Sequence, residues 1–175
     1  MQIITSNLIG SNVFSIHAGH NIGKIKDWFI DLKDLRISLF SVVASTGQTN
    51  YLLNSDIRSL GVRGKAVVII DHEDKLSEKD ELVRYQELIE NKTNLMGFKV
   101  KTVSGKNLGK VKDLSIDMQD LYILKIHVRA KAIARLLNER LLIDRTDIVE
   151  VKPGQITIKD SYAKTSKTVQ KALPA

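Results

Sequence analysis

Short runs in which apolar and polar residues alternate dominate the chain, and alternation of this kind predicts strands. One series comprises Val13–Ile16, Lys24–Leu32, Leu35–Val43, Tyr51–Leu53, Asp56–Leu60 and Ala66–Ile70. A second comprises Lys99–Val103, Gly109–Met118, Leu121–Arg129, Arg140–Ile143, Asp147–Val151 and Gln155–Lys159. β-Branched residues fill these runs, and turn residues such as Gly19-His20-Asn21-Ile22-Gly23 separate them, as in a small barrel or sandwich. Between the two series the period changes. From Leu76 on, Leu82, Tyr85, Leu88 and Ile89 form one apolar stripe, with Ser77 as a cap and Asp80 three residues later, which predicts a linker helix to about Asn91. A second short helix is expected at Ala130–Asn138.

The two series are one series written twice. Residues 8–37 align with residues 95–123 when Ala18 is allowed as one extra residue. Gly10 then falls on Gly97, Val13 on Val100, Gly19 on Gly105, Asn21 on Asn107, Gly23 on Gly109 and Lys24 on Lys110. The match continues through Lys26 and Lys112, Asp27 and Asp113, Ile30 and Ile116, Asp31 and Asp117, Asp34 and Asp120, and Leu35 and Leu121. Both second strands break strict alternation in the same way, as Ile25, Trp28, Ile30, Leu32 and as Val111, Leu114, Ile116, Met118. A step of three before steps of two puts the first apolar residue on the wrong face, so a β-bulge is predicted near Lys26-Asp27 and near Lys112-Asp113.

A self-match at nearly half the chain length sets the expected organisation. A first barrel over residues 1–75, a helical linker over 76–93, a second barrel over 94–160 and a basic flexible tail over 161–175 make an all-β protein of two tandem domains. Domains this small bury only about 60% of their unfolded surface, so the copies are expected to pack together and share apolar surface.

Charge separates what the repeat equates. Residues 1–92 hold 11 Lys/Arg against 12 Asp/Glu, a net of −1; residues 93–175 hold 16 against 8, a net of +8. Clustered cations favour acidic partners, nucleic acid among them. There is no cysteine, which excludes disulfides and thiolate chemistry. The first residues lack a secretory pattern, and the longest aliphatic run, Ala66–Ile70, is far short of a membrane span, so a cytoplasmic protein without membrane insertion is expected.

Candidate chemistry is sparse. Ser104-Gly105-Lys106-Asn107-Leu108-Gly109-Lys110 has three residues between its glycines and Val111 after the lysine, which does not meet the phosphate-loop pattern, and its glycines read as conformational. Asp27, Asp31, Asp34 and their counterparts Asp113, Asp117, Asp120 read as turn residues whose carboxylates bond nearby amides. His17 and His20 have no counterpart in the second copy, His72 and His127 stand alone in sequence, and no ligand set is nominated. Trp28 falls on the apolar face of its strand and is expected in the core. No catalytic residue, cofactor or metal is expected. The remaining candidates are cations for a macromolecular partner: Lys99, Lys101, Lys106, Lys110, Lys112, Arg129, Lys131, Arg135 and Arg140, with Lys164, Lys167 and Lys171 in the tail.

Gly97-Phe98-Lys99-Val100, Ser104-Gly105-Lys106-Asn107-Leu108-Gly109-Lys110-Val111-Lys112-Asp113 and Leu142-Ile143-Asp144-Arg145-Thr146-Asp147-Ile148 resemble the PRC-barrel family, and residues 8–71 resemble it as residues 95–160 do. The resemblance implies compact six-stranded β-barrels that serve in protein interaction or assembly. Barrels of this type occur in the photosynthetic reaction-centre H subunit and at the carboxyl-terminal end of the ribosome maturation factor. Neither the transmembrane helix of the first nor the amino-terminal domain of the second is expected here, and no catalytic residue carries over. The expectation is a non-enzymatic assembly module, in a ribosomal or ribonucleoprotein setting, that binds a protein in preference to RNA. Direct RNA binding through the basic second half and tail is the alternative, a small-ligand or enzymatic site between the barrels is a second one, and a homo-oligomer is also open.

Overall fold

The computed structural model describes residues 1–63, 65–129 and 140–161. Its strands are β1 (Gln2–Ile4), β2 (Asn12–Ser15), β3 (His20–Asp31), β4 (Arg36–Ala44), β5 (Thr49–Leu53), β6 (Ile57–Arg63), β7 (Lys65–Ile70), β8 (Leu76–Ser77), β9 (Lys99–Thr102), β10 (Asn107–Asp117), β11 (Ile123–Arg129), β12 (Arg140–Asp144), β13 (Ile148–Lys152) and β14 (Gln155–Ile158). Among the described residues the five-residue helix α1 (Gln86–Glu90) joins these strands in an all-β, barrel-like fold. The helix expected at Ala130–Asn138 and the tail beyond Ser161 lie outside the described residues.

Two seven-stranded sheets share one strand order. The first runs β6-β7-β2-β3-β4-β5-β8, the second β13-β14-β9-β10-β11-β12 with β1 on β10. In both, the first strand of the repeat pairs in parallel with the last, Asn12 opposite Val67 and Lys99 opposite Gln155. Six strands per sheet were expected; each gains one short strand, β8 on β5 and β1 on the outer end of β10. The chain divides into two compact units, Met1–Asn94 with Ser115–Ile123, and Leu95–Leu114 with the residues from Leu124 on.

In the first unit, β3 shows why the irregular apolar steps are needed. Ile25 pairs with Val42 and Asp27 with Ser41, leaving Lys26 as an extra residue at the expected position. With that bulge Ile25, Trp28 and Ile30 are all buried, at 1%, 3% and 0% exposure. The Asp27 carboxylate accepts the Trp28 N–H at 2.8 Å, which fills the amide that the bulge displaces. A second bulge, not foreseen, sits at Ile22, where Val13 pairs with Gly23 and Phe14 with Asn21.

Alternation leaves Phe29 on the opposite face from Trp28 and Ile30, yet it is only 4% exposed. Leu39, its partner on β4, and Leu82 and Ile89 cover it, with Tyr51, Tyr85 and Leu88 at the margin. The segment expected as a linker helix is therefore the outer cover of the first sheet. It is also mostly not α-helical: Lys79–Glu81 and Val83–Tyr85 are 3₁₀ turns, and only Gln86–Glu90 is α. Apolar residues at 82, 85 and 88 recur every third position, which suits three residues per turn. The cap is Glu78 rather than Ser77, its N–H donating to Glu81 Oε2 at 2.9 Å.

The turns after β3 and β10 are built alike. Asp31 accepts from the Lys33 N–H at 2.9 Å, and Asp117 from those of Gln119 and Asp120 at 2.8 and 3.1 Å, as read for turn residues. Leu35 and Leu121 close the two turns at φ 52° and 60°, and both are buried. A left-handed leucine costs about 1–2 kcal/mol, which its burial offsets. Inside the first unit these turns exchange backbone bonds, Ile37 N–H to Leu121 O at 3.0 Å and Ile123 N–H to Leu35 O at 2.9 Å.

The second unit is organised around Leu95, Val100, Leu114, Ile126, Ile143 and Ile156, all fully buried. β10 repeats the burial sequence of β3 from Val111 to Asp117, and Asp113 accepts the Leu114 N–H at 2.9 Å as Asp27 does that of Trp28. Leu108 is an extra residue in the β9 pairing, the counterpart of Ile22. The glycines of the two connections differ in purpose. Gly19 and Gly105 have positive φ, of 72° and 85°, whereas Gly23 is required because a Cβ there would lie 2.7 Å from Val42 Cγ1. Gly109 has both constraints: φ is 141°, and a Cβ would lie 2.1 Å from the Arg129 carbonyl oxygen.

Three substitutions test this packing. Gly109→Ala is expected to destabilise the protein by about 2–4 kcal/mol through strain and displacement of β11, against about 1 kcal/mol for Gly105→Ala, which meets no neighbour; urea unfolding of both variants measures the difference. Ile89→Ala is expected to cost about 2–4 kcal/mol in the same assay, whereas a helix acting as a free linker predicts almost none.

Candidate functional site

The basic candidates gather on one face of the second unit. Val100 and Thr102 of β9 turn inward, so Lys99 and Lys101 line the other face, Lys99 exposed and Lys101 half-buried. On β10, Gly109 and Val111 are buried and Lys110 and Lys112 are exposed. The register sets Lys110 directly opposite Lys99. On the other flank of β9, Gln155 stands opposite Lys99 and Thr157 opposite Lys101, both uncharged. Among the described residues none of these four lysines forms an ion pair; the nearest strand beyond, β13, has Lys152 already bound to Glu150 at 3.0 Å. Lys106 lies exposed in the turn before β10, and Arg129 is exposed at the end of β11, paired in register with Arg140. Lys131, Arg135, Lys164, Lys167 and Lys171 lie outside the described residues.

A second constellation was not nominated by sequence spacing. β2 and β7 run parallel and end side by side, and the pairing continues past them, with His17 N–H donating to Asp71 O at 2.9 Å. His17 thereby meets His72 and Glu73. The two imidazole centroids are 4.5 Å apart, and His17 Nδ1 lies 3.2 and 3.3 Å from the two Glu73 carboxylate oxygens. All three side chains are exposed. Beneath them the buried Ser15 hydroxyl donates to Glu73 Oε2 at 3.0 Å and accepts the Ala18 N–H at 3.1 Å. Glu73 is held below the usual carboxylate range by a backbone N–H, by Ser15 and by His17. His20 Nδ1 is instead 2.9 Å from Ala18 O, and His127 lies half-buried on β11.

The corresponding place in the second unit keeps the frame and changes the chemistry. Ser104 donates through its hydroxyl and its N–H to Asp160 Oδ1 at 2.7 and 3.0 Å, and Thr102 Oγ1 lies 3.0 Å from Ser104 Oγ. An open groove of about 360 Å³ in the first unit is lined by Met1, Asn54, Ile57, Leu60, Met118 and Leu121, among others. Arg58, which borders it, is engaged by Asp71 at 2.6 Å. Trp28 belongs to the core and not to any of these surfaces.

The repeated aspartates are structural anchors. Asp117 is held below the usual carboxylate range by the Asp120 and Gln119 N–H groups and by the amino terminus, whose nitrogen is 3.7 Å away; Asp144 is held low by the Thr146 N–H and hydroxyl. A carboxyl whose folded pKa is depressed contributes stability above its unfolded pKa and loses it as pH falls through the folded value. Asp117→Asn is therefore expected to lower the thermal midpoint at neutral pH, with the difference from the parent protein closing as pH falls through the lowered folded value; melts from neutral to acid pH measure it.

No helix among the described residues is long and apolar enough to cross a membrane. No curated protein matches the sequence significantly. Residues 87–164 match the family model for the PRC-barrel domain, the family whose motifs stand at Gly97–Val100, Ser104–Asp113 and Leu142–Ile148. That match spans β9–β14.

Proposed function

We propose that the protein is a non-enzymatic assembly module of two PRC-type barrels, which binds an acidic macromolecular partner through the lysine face of β9 and β10. Support for a second barrel in residues 8–71 comes from the shared strand order, the matching burial along β3 and β10, and the same aspartate-anchored turns. The observation that carries the binding role is the unpaired cluster Lys99, Lys101, Lys110 and Lys112. Like charges directly opposite on an antiparallel pair oppose the ladder. A solvated surface needs no such arrangement, whereas an acidic partner removes the repulsion and gains from the field. Protein is favoured over RNA because the face presents no aromatic platform on which bases stack. A ribosomal or ribonucleoprotein setting is supported by the family resemblance and the +8 charge of the second half, and a cytoplasmic location by the lack of cysteine.

Crosslinking capture from native lysate, with and without ribonuclease, tests this reading. The same proteins are expected to remain after ribonuclease, and Lys99→Glu with Lys110→Glu is expected to reduce their recovery about tenfold. Lys24→Glu, at the repeat position of Lys110, is expected to leave recovery unchanged. Complete loss of partners on ribonuclease treatment assigns the face to RNA; recovery unaffected by the double charge reversal removes the face from the binding surface.

A further inference from the structure

We propose that His17, His72 and Glu73 form a binding site for a divalent transition metal of the zinc class. Two imidazoles and a carboxylate are the donor set that suits such an ion, and the three ligand atoms already lie within 4.8 Å of one another. Spacing is the stronger argument. Donors about 2.0–2.1 Å from a tetrahedral ion stand about 3.3 Å from each other, and His17 Nδ1 stands 3.2 and 3.3 Å from the Glu73 oxygens. The His72 ring lies beside that of His17, with centroids 4.5 Å apart and planes tilted by 32°, so its donor stands near the same point.

The support beneath the site is ordered as metal sites require. Ser15, fully buried, fixes one Glu73 oxygen and is fixed in turn by the Ala18 N–H. The parallel β2–β7 pairing holds His17 by its N–H to Asp71 O, and His72 O accepts from Lys75 N–H at 3.3 Å, so both ligand-bearing backbones are tied down. Three protein ligands on an exposed surface leave a coordination position for water or for a donor from another molecule. The second unit, with Ser104 and Asp160 in the same frame, lacks both imidazoles, so the chain has one such site among its described residues.

The test uses the full chain without a histidine tag. Cobalt(II), a spectroscopic substitute for zinc, is titrated while visible absorption is followed, and zinc is then added in competition. One equivalent of cobalt is expected to produce a d–d band that zinc abolishes. His17→Ala and His72→Ala are each expected to weaken binding at least about tenfold, and Ser15→Ala about tenfold. Metal-free melts of the two histidine variants, whose side chains are exposed, establish that folding is intact. The proposal is overturned if the parent chain and the His17→Ala/His72→Ala double variant bind equally, or if the parent chain gives no band at millimolar cobalt.

Discussion

A strand cannot place three consecutive apolar side chains on one face, and Trp28-Phe29-Ile30 obliges the first unit to be apolar on both sides of β3. Trp28 and Ile30 define the inner face, and Phe29 demands a cover on the outer one. Complete exposure of Phe29 forgoes about 1.5–3 kcal/mol, a substantial fraction of what a small domain has in reserve. The stripe Leu82, Tyr85, Leu88 and Ile89 meets that demand, and the bulge at Lys26 sets which residues face which way before the run begins. In β10 the middle residue is Ser115, also buried, so the position that holds an aromatic ring in β3 holds a small hydroxyl there, with β1 paired alongside.

The repeat carried most of the fold in readable form. Strand positions, the bulge beside Asp27, the turn role of Asp31 and Asp117 and the burial of Trp28 all follow from local rules, since each concerns residues within a few positions of one another. Cover was less legible. The 82–89 stripe announces an apolar face without naming its partner, and a three-residue spacing fits one face of an α-helix almost as well as it fits a 3₁₀ turn. β1 was unreadable for a related reason: three residues, Gln2–Ile4, present too short a pattern to distinguish, and their partner lies more than a hundred positions away. Gly23 and Gly109 looked equivalent as letters, yet only Gly109 needs positive φ; the close approach that both require is a property of the neighbouring strand.

The lysine candidates were legible because alternation fixes faces. Once Val100 and Val111 are inside, Lys99, Lys101, Lys110 and Lys112 must be outside, and only their register with one another waits for the structure. Their opposition across β9 and β10 is a matter of one bulge. Were Leu108 paired in regular register after Asn107 and Lys101, the ladder would set Phe98 rather than Lys99 against Lys110. The bulge that repeats at Ile22 in the first copy thus determines the charge geometry of the second.

The histidine cluster was illegible for a topological reason. Strands in an antiparallel hairpin end next to a local turn, so residues gathered there are close in sequence and spacing rules can find them. Parallel strands end together without being connected at that end, so side chains gathered there come from distant segments. His17 and Glu73 are 56 positions apart, as are Ser104 and Asp160. A repeated separation of this kind is itself a signal, visible once the parallel pairing of the first and last strands of each copy is known. In each copy the frame joins the residues after the first strand to the residues after the last, whatever side chains they carry. The two copies fill that frame with different donors, a carboxylate with two imidazoles in one and a carboxylate with hydroxyls in the other. Two sheets with one strand order separate scaffold from chemistry in this way: the matching glycines and aspartates shape the connections, and the residues that differ are those that the strand ends present.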